Sequence, residues 1–247
     1  MADAGSSFYD DDEAVADYLA HRHSPGLSPN LVMEEPAFVA AVGSLDGLDV
    51  IDLGCGDGNF ADVCVAGGCA SYLGVEASAP MLEQAERRAG DQVGFVHETI
   101  EGFSAPPGSA DLVAARMSLH YVDDLRPVYV ACFDALRPGG RMVVTVVHPL
   151  ITAQLEQVTE QPRTAVTVDD YFIEGPRSRQ WFGRPVTWQH RTLEQHVMLG
   201  PGAGFQLDRL SECPPAAERF GNDQDELARR RRVPLILLLS WRRPEPV

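Results

Sequence analysis

The fold is decided by residues 50–58, which read VIDLGCGDG. The first four form a short apolar run that is typical of a buried strand. Three glycines at alternate positions follow, and residues 60–66 continue as a helix. Glycines at such a turn let the chain bend sharply and let its backbone approach a ligand. The stretch predicts a strand, a tight turn and a helix, with a ligand site at the turn.

The same alternation continues on both sides of this turn. Its order predicts a parallel sheet that is covered by helices on both faces. The predicted strands are residues 50–53, 72–75, 93–97, 110–114, 142–147, 205–210 and 235–241. The predicted helices are residues 9–23, 34–45, 60–66, 79–89, 125–136 and 193–199.

A second motif lies at the end of the next strand, where the sequence reads Gly74-Val75-Glu76. An acid at the tip of the second strand can accept hydrogen bonds from both hydroxyls of a ribose. The glycine turn and Glu76 together indicate an adenosine-type ligand across the carboxyl edge of the sheet. The dinucleotide fingerprint needs a glycine where Asn59 stands, which disfavours an NAD-dependent oxidoreductase.

Composition narrows the function further. The chain has 247 residues, which we interpret as a single domain, and a formal net charge of -16 from 36 acids and 20 bases. Such an acidic chain repels phosphate backbones, so we expect no nucleic-acid partner. All the bases are arginine, which excludes lysine Schiff bases and Walker-type phosphate loops.

The cysteines and the absence of long apolar stretches predict the cellular compartment of the protein. There are five cysteines, an odd number, and no CxxC motif, which is typical of a reduced cytoplasmic protein without a disulfide framework or a zinc site. The first nine residues lack the basic and apolar regions of a signal peptide. No apolar stretch approaches the ~20 residues of a membrane helix, so we expect no membrane association.

These motifs resemble class I S-adenosylmethionine-dependent methyltransferases. Residues 50–58 resemble motif I of that family, Glu76 its motif II acid, residues 109–113 its fourth-strand motif and residues 136–140 the turn before the fifth strand. The resemblance implies a Rossmann-like fold with a mostly parallel seven-stranded sheet and helices on both faces. Weaker similarity at residues 148–149, 170–175, 181 and 190–193 points to a bacterial subgroup that acts on small molecules.

The resemblance also implies a domain layout. We expect an N-terminal helical lid at residues 9–45, a cofactor-binding core at 46–148, a substrate-side insert after strand five at 149–191, and a C-terminal helix with the last strands at 192–247. Cofactor-binding residues follow by position in the motifs. They are Asp52, Gly54, Gly56, Glu76, Met81, Thr99, Ile100, Arg116 and Met117.

Two of these positions depart from the family pattern. Thr99 stands where the family often has an aspartate that faces the adenine amino group, and Glu98 or Glu101 could take its place. Arg116 stands where relatives hold the methyl donor sulfur. We interpret it as facing the cofactor carboxylate or an anionic substrate, with a surface salt bridge as the alternative.

The acceptor side is predicted from aromatic residues. Residues 150–191 lose the strand–helix pattern and carry scattered aromatics, which favours a lid or substrate wall over mere surface packing. We expect the acceptor to contact Tyr18, Tyr121, Tyr171, Trp181 and Trp188.

A hydroxyl acceptor needs a base, and neutral histidine suits that role. His148 and His120 follow strands five and four on the rim where ligands bind, and His190 follows the insert. We rank His148 first and His120 second, although for any single histidine a structural hydrogen-bonding role is the favoured interpretation.

The sequence thus predicts methyl transfer from S-adenosylmethionine, with S-adenosylhomocysteine as product, to an oxygen or nitrogen of a small molecule. Carbon is the less favoured atom, and a secondary metabolite is one class of acceptor. No NPPY-like tetrad stands at residues 116–119, which argues against methylation of the amino groups of nucleic-acid bases or of glutamine. The alternatives are the same fold used for cyclisation or decarboxylation, and a non-enzymatic binding module. We expect a monomer or a homodimer.

Two charged runs are interpreted as structural. The basic run at residues 229–232 precedes an apolar strand and is predicted to be a solvated turn. The acids at residues 10–13 begin a helix, where its dipole explains them, and no metal site is expected.

Overall fold

The computed structural model describes residues 6–22, 26–88, 90, 92–154 and 165–246. The strands are β1 (Asp49–Leu53), β2 (Ser71–Glu76), β3 (Val93–His97), β4 (Ala110–Arg116), β5 (Leu136–Val147), β6 (Gly175–Trp181), β7 (Arg184–His190), β8 (Gln206–Ser211) and β9 (Ile236–Arg242). The helices are α1 (Asp12–Arg22), α2 (Glu35–Val42), α3 (Asn59–Ala66), α4 (Ala79–Glu86), α5 (Leu125–Ala135), α6 (Pro149–Thr152), α7 (Leu193–Gly202) and α8 (Gln224–Arg230). Short 3-10 turns and one π-helical turn, Asn30–Glu34, complete the described elements.

Seven strands form one sheet in the order β3-β2-β1-β4-β5-β9-β8. The first five run parallel, and β9 is antiparallel to both β5 and β8. The mostly parallel seven-stranded sheet predicted from the sequence is therefore confirmed. Because β1 lies between β2 and β4, the strand order reverses at its carboxyl end, which is where ligands bind in open α/β sheets.

Apolar cores lie on both faces of the sheet. Neighbouring residues of β4 point to opposite faces, so Val113 packs in the core under α5 and α7 while Leu112 packs in the core under α2, α3 and α8. Both residues are fully buried. The two cores hold the ends of β1, β2 and β4 in fixed positions.

A third apolar cluster lies over the carboxyl edge of the sheet. Phe8 and Ala14, from the start of the chain, pack there against Val147 at the end of β5 and against Val186 and Trp188 of β7. The guanidinium of Arg184 in β7 pairs with Asp11 at 2.7 Å and Glu13 at 3.0 Å. The N-terminal segment and the β6–β7 hairpin therefore cover this edge together.

The structure corrects two sequence expectations. Residues 175–190 form the antiparallel hairpin β6–β7, although no regular element was expected within 150–191. In β7 the buried residues Val186, Trp188 and His190 alternate with less buried ones. This alternation is too short to indicate a strand from the sequence. Residues 155–164 lie outside the described part. Arg229 and Arg230 end α8 and are not in a solvated turn, while Arg231 and Arg232 are exposed.

In the described part of the chain, no helix has the length and apolarity to cross a membrane.

Candidate active site

Two cavities lie side by side at the carboxyl edge of the sheet. The first, which we call the turn cavity, has a volume of about 350 Å³ and lies where β1, β2 and β4 end. The second, the aromatic cavity, has a volume of about 430 Å³ and lies between α1, the hairpin and α8. Each is large enough to hold a small organic ligand.

The glycine turn after β1 forms the floor of the turn cavity. Gly54, Gly56 and Gly58 all have positive φ angles, of 73°, 60° and 74°. A Cβ atom on Gly54 would lie 2.5 Å from Cβ of Ser118, and one on Gly58 would lie 3.1 Å from Cα of Ala85. On Gly56, by contrast, a Cβ would have no described atom within 4 Å. Packing requires the outer two glycines, and Gly56 faces open space.

Glu76 lies beside this turn and is held by backbone amides. Its Oε2 accepts a hydrogen bond from the amide of Gly56 at 2.8 Å, and its Oε1 accepts one from the amide of Ser78 at 2.9 Å. Burial raises the pKa of this carboxyl, and these amides partly offset the shift. Each oxygen of a carboxylate has a further lone pair, so Glu76 can accept hydrogen bonds from a ligand as well.

The far end of the turn cavity combines apolar and polar groups. Met81, Ile100, Thr99 and Glu101 line it. Glu98 lies outside the lining that is described, and its Oε1 accepts a hydrogen bond from the amide of Thr99 at 2.8 Å. Of the two acids proposed to replace the missing aspartate, Glu101 is the one at the cavity.

Aromatic side chains wall the second cavity. Trp181 and Trp188 of the hairpin pack edge to face with ring centroids 6.2 Å apart. The hydroxyls of Tyr9 and Tyr121 lie 3.1 Å apart, and Tyr18 packs edge to face on Tyr9. These rings form a wall of low conformational entropy that suits a planar ligand.

The two cavities share one wall. Tyr9, Tyr18, Arg22, Met117 and Tyr121 line both of them. Met117 follows β4 with φ at 54°, and its amide donates to the carbonyl of Thr145 at 2.9 Å. This left-handed conformation costs a non-glycine residue roughly 1–2 kcal/mol, and such strain clusters at functional sites. Ligands in the two cavities would meet at Met117.

Comparison with known proteins identifies the family. A family model described as a methyltransferase domain matches residues 51–144. The crystal structure of an S-adenosylmethionine dependent methyltransferase from Mesorhizobium loti matches with a TM-score of 0.79 and 30% identity, over 85% of this chain and 97% of that one. This chain belongs to the S-adenosylmethionine-dependent methyltransferases.

Two curated relatives differ in coverage and in what their names say. A ubiquinone biosynthesis O-methyltransferase of Pectobacterium carotovorum is 33% identical over 64% of this methyltransferase and 72% of that protein. An uncharacterized protein of Haemophilus influenzae is 28% identical over 97% of this chain and 98% of its own length. Across the ubiquinone biosynthesis O-methyltransferases compared, the chain spans from 42% to 72% of their length.

The turn cavity fits S-adenosylmethionine, the cofactor of this family. Gly56 leaves open space where a side chain would otherwise stand, and Glu76 has acceptors for the ribose hydroxyls. Met81 and Ile100 would pack on the adenine, and Glu101 could accept a hydrogen bond from its amino group.

The cofactor carboxylate has a different candidate partner from the one predicted. Arg116 lines the turn cavity, but its Nε and Nη2 donate to the carboxylate of the buried Glu34 at 3.0 and 2.6 Å. It forms a buried ion pair, which neither sequence interpretation anticipated. Arg22 donates to the hydroxyl of Tyr18 at 2.9 Å and has no carboxylate partner among the residues that the structure describes. Arg22, which lines the turn cavity, is thus the candidate partner for the cofactor carboxylate.

Asp52, which was predicted to bind the cofactor, does not line the turn cavity as described. It is buried beneath the turn and is absent from the described lining of either cavity. Its Oδ2 accepts a hydrogen bond from the hydroxyl of Tyr72 at 2.7 Å, and burial raises its pKa to about 6.

The three candidate histidines occupy different environments. His120 lines the aromatic cavity, and its Nδ1 has no hydrogen-bond partner within the described part. His148 caps α6, accepting from the amide of Leu150 at 3.2 Å, and its Nε2 lies 3.1 Å from Glu212. His190 is held by Thr152 at 2.6 Å and by the carbonyl of Tyr171 at 2.8 Å.

This placement favours His120 as the candidate base over His148, which was ranked first from the sequence. Both ring nitrogens of His148 and His190 are engaged, and neither residue is among the described lining of a cavity. Only His120 of the three faces the acceptor side. Burial lowers its pKa to about 3, so its ring stays neutral in the physiological range.

Of the five residues predicted to contact the acceptor, four line the aromatic cavity and one is not among its described lining. Tyr18, Tyr121, Trp181 and Trp188 line the aromatic cavity. Tyr171 is outside the lining that is described, and its hydroxyl accepts a hydrogen bond from the amide of Leu193 at the start of α7. It helps to hold the helix that follows the hairpin.

Several cavity residues were missed from the sequence. Tyr9, Arg22, Ser118, Arg229 and Arg230 all line a cavity. For Arg22 a signal existed, because it stands four residues after Tyr18 on a predicted helix and therefore shares its face. No comparable local signal marks the arginines of α8.

Among the described residues, no group of three or more His, Cys, Asp or Glu side chains is placed to hold a metal ion.

Proposed function

We propose that this methyltransferase methylates an oxygen or a nitrogen of a small aromatic molecule that binds in the aromatic cavity. The observation that carries the proposal is the arrangement of the two cavities, which meet at Met117 and have His120 in the acceptor wall. The similarity to ubiquinone biosynthesis O-methyltransferases supports oxygen as the preferred atom. The net charge of -16 supports a small molecule over a nucleic acid.

The chain contributes alignment and exclusion of water. S-adenosylmethionine supplies an electrophilic methyl group on its sulfonium when bound. Tyr9, Tyr18 and Tyr121 would fix the acceptor against the shared wall, which replaces a bimolecular encounter by a positioned one. Trp181 and Trp188 would keep water from the reacting atoms.

His120 would hold the proton that a hydroxyl acceptor loses. A ring with a pKa near 3 stays in the neutral form that can accept a proton, but it is a weak base. Proton transfer is most efficient when donor and base are matched, so this environment favours an acidic hydroxyl such as a phenol over an aliphatic alcohol.

We further propose that the protein works in the cytoplasm. Its five cysteines are all free and buried, which is compatible with a reducing compartment.

The experiment is a product screen. Purified enzyme is incubated with S-adenosylmethionine and a panel of phenols, anilines and aliphatic alcohols. The masses of the products are measured by mass spectrometry. We expect a gain of one methyl group, strongest for phenols. Products of cyclisation or decarboxylation, without that gain, would refute methyl transfer.

Two histidine variants test the base. His120→Ala should lower kcat on a phenol by about 10- to 10²-fold, since a base with a pKa near 3 contributes less than one matched to the working pH, and should not change the affinity for S-adenosylhomocysteine. His148→Ala is the matched control, since His148 also follows a strand but pairs with Glu212, and its kcat should stay near that of wild type. Equal losses in both variants would remove His120 from this role.

A further inference from the structure

The aromatic cavity carries positive charge. Three guanidinium groups line it, those of Arg22, Arg229 and Arg230, and no Asp or Glu is among the described residues of its lining. This is notable in a chain with 36 acids and only 20 bases. Arg22 also lines the turn cavity, whereas Arg229 and Arg230 belong to the aromatic cavity alone.

The two arginines of α8 share a single carboxylate. Arg229 pairs with Glu226 through two nitrogens, because its Nε donates to Oε2 at 2.6 Å and its Nη2 donates to Oε1. The Nε of Arg230 donates to the same Oε1 at 2.7 Å. The Nη2 of Arg230 donates to the carbonyl of Leu27 at 2.7 Å. Among the described residues, two positive groups therefore share one negative group, which leaves one positive charge without an ion-pair partner.

That charge is largely shielded from solvent. The side chains of Arg229 and Arg230 are 22% and 12% exposed. Next to them, Val233 and Leu235 add apolar surface to the same cavity. Removing a charge from water is costly unless a partner of opposite sign replaces the lost solvation. A ligand with an anionic group would supply that partner at the Nη1 nitrogens, because Nε and Nη2 of both arginines already donate within the protein.

We propose that the acceptor is an aromatic acid whose oxyanion pairs with Arg229 and Arg230. The proposal rests on the proposed function, since it takes the aromatic cavity as the acceptor site. The acidic group lies against α8, in the part of the cavity that the turn cavity does not share. The group that is methylated lies at the shared wall beside Met117 and His120. The first two arginines of the basic run, Arg229 and Arg230, therefore select the substrate.

The test compares matched ligands on the protein saturated with S-adenosylhomocysteine. The probes are pairs of an acid and its neutral amide: benzoate with benzamide, 4-hydroxyphenylacetate with its amide, and 4-hydroxycinnamate with its amide. Phenyl phosphate, compared with phenol, distinguishes a phosphate from a carboxylate. Dissociation constants are measured by calorimetry or ligand-observed NMR. We expect acids to bind about 10- to 100-fold more tightly than their amides, the range for hydrogen bonds to a charged group.

Variants locate the preference. The double variant Arg229→Gln with Arg230→Gln should abolish the acid preference, while the same positions changed to Lys should keep most of it. Arg231→Gln with Arg232→Gln is the matched control, because these neighbours are exposed and outside the described lining. It should bind the acids as wild type does.

Two results would overturn the proposal. One is the absence of any preference for acids or for phenyl phosphate over their neutral partners in wild type. The other is an equal loss of preference in the control variant. Both differ from failure of the proposed function, in which no compound gains a methyl group whatever its charge.

Discussion

Adding one methyl group to Gly54 or to Gly56 should separate folding from cofactor binding. Both glycines have positive φ and line the turn cavity. They differ in what a new Cβ would meet. On Gly54 it would lie 2.5 Å from Cβ and 3.0 Å from Oγ of Ser118, whereas on Gly56 it would meet no described atom within 4 Å. Gly54→Ala should therefore damage the fold, and Gly56→Ala should damage the site.

The magnitudes follow from these contacts. Each alanine pays about 1–2 kcal/mol for the left-handed backbone. Gly54→Ala adds about 1–3 kcal/mol for overpacking against Ser118, giving about 2–5 kcal/mol in total. At roughly 2–4 °C per kcal/mol for a chain of this size, Tm should fall by about 4–20 °C in Gly54→Ala and by about 2–8 °C in Gly56→Ala.

For cofactor affinity the two variants should rank in the opposite order, with the larger loss in Gly56→Ala. The methyl group of Gly56→Ala enters space that the cofactor needs, so overpacking there is expressed as lost binding of about 1–3 kcal/mol, or about 5- to 150-fold in Kd. Thermal unfolding without ligand measures the fold, and calorimetric titration with S-adenosylhomocysteine measures the site. A wild-type Kd in Gly56→Ala would show that the cofactor lies elsewhere. A larger Tm loss in Gly56→Ala than in Gly54→Ala would contradict the packing argument.

Three further predictions concern single side chains. Glu76→Ala should weaken S-adenosylhomocysteine binding by about 1.5–3 kcal/mol in calorimetry, and an unchanged Kd would remove Glu76 from the site. Trp181→Ala and Trp188→Ala should raise the acceptor KM while leaving the cofactor Kd unchanged, whereas loss of both would indicate unfolding. Burial raises the pKa of Asp52 to about 6, so its ionised form costs stability above that pH and the cost fades as pH falls towards about 4, the value in an unfolded chain. Asp52→Asn should therefore raise the free energy of unfolding at pH 8 by up to about 2–3 kcal/mol and give little gain near pH 4. An equal gain at both pH values would contradict this assignment.

The parallel core was predictable because its signals are local. Short apolar runs and glycine turns report directly on buried strands and on the turns after them. Gly54, Gly56 and Glu76 each stand within a few residues of a strand end, so the sheet brings them to one edge whatever the rest of the chain does. Their roles toward the cofactor stay predictions.

The choice among histidines could not be made from the sequence. His120 and His148 both follow strands, and only the direction of each side chain separates them. His148 turns toward Glu212, which stands 64 residues further along the chain. A contact over such a distance has no periodicity to reveal it.

Arg116 and the arginines of α8 illustrate the same limit. The partner of Arg116 is Glu34, 82 residues away, so the pair is invisible to motif reasoning. The run at residues 229–232 looks uniform in sequence, but the end of α8 divides it into two residues that line a cavity and two that face solvent. Only the packed helix reveals the division.

With the acceptor in the aromatic cavity, as proposed, the shared wall would couple the two ligands thermodynamically. Tyr9, Tyr18 and Arg22 contribute to both cavities, so a cofactor that orders these side chains removes part of the entropy that an acceptor would otherwise lose on binding. Such coupling is reciprocal, and the acceptor must tighten the cofactor by the same factor. The affinity of S-adenosylhomocysteine measured alone is then a lower limit on its affinity in the ternary complex.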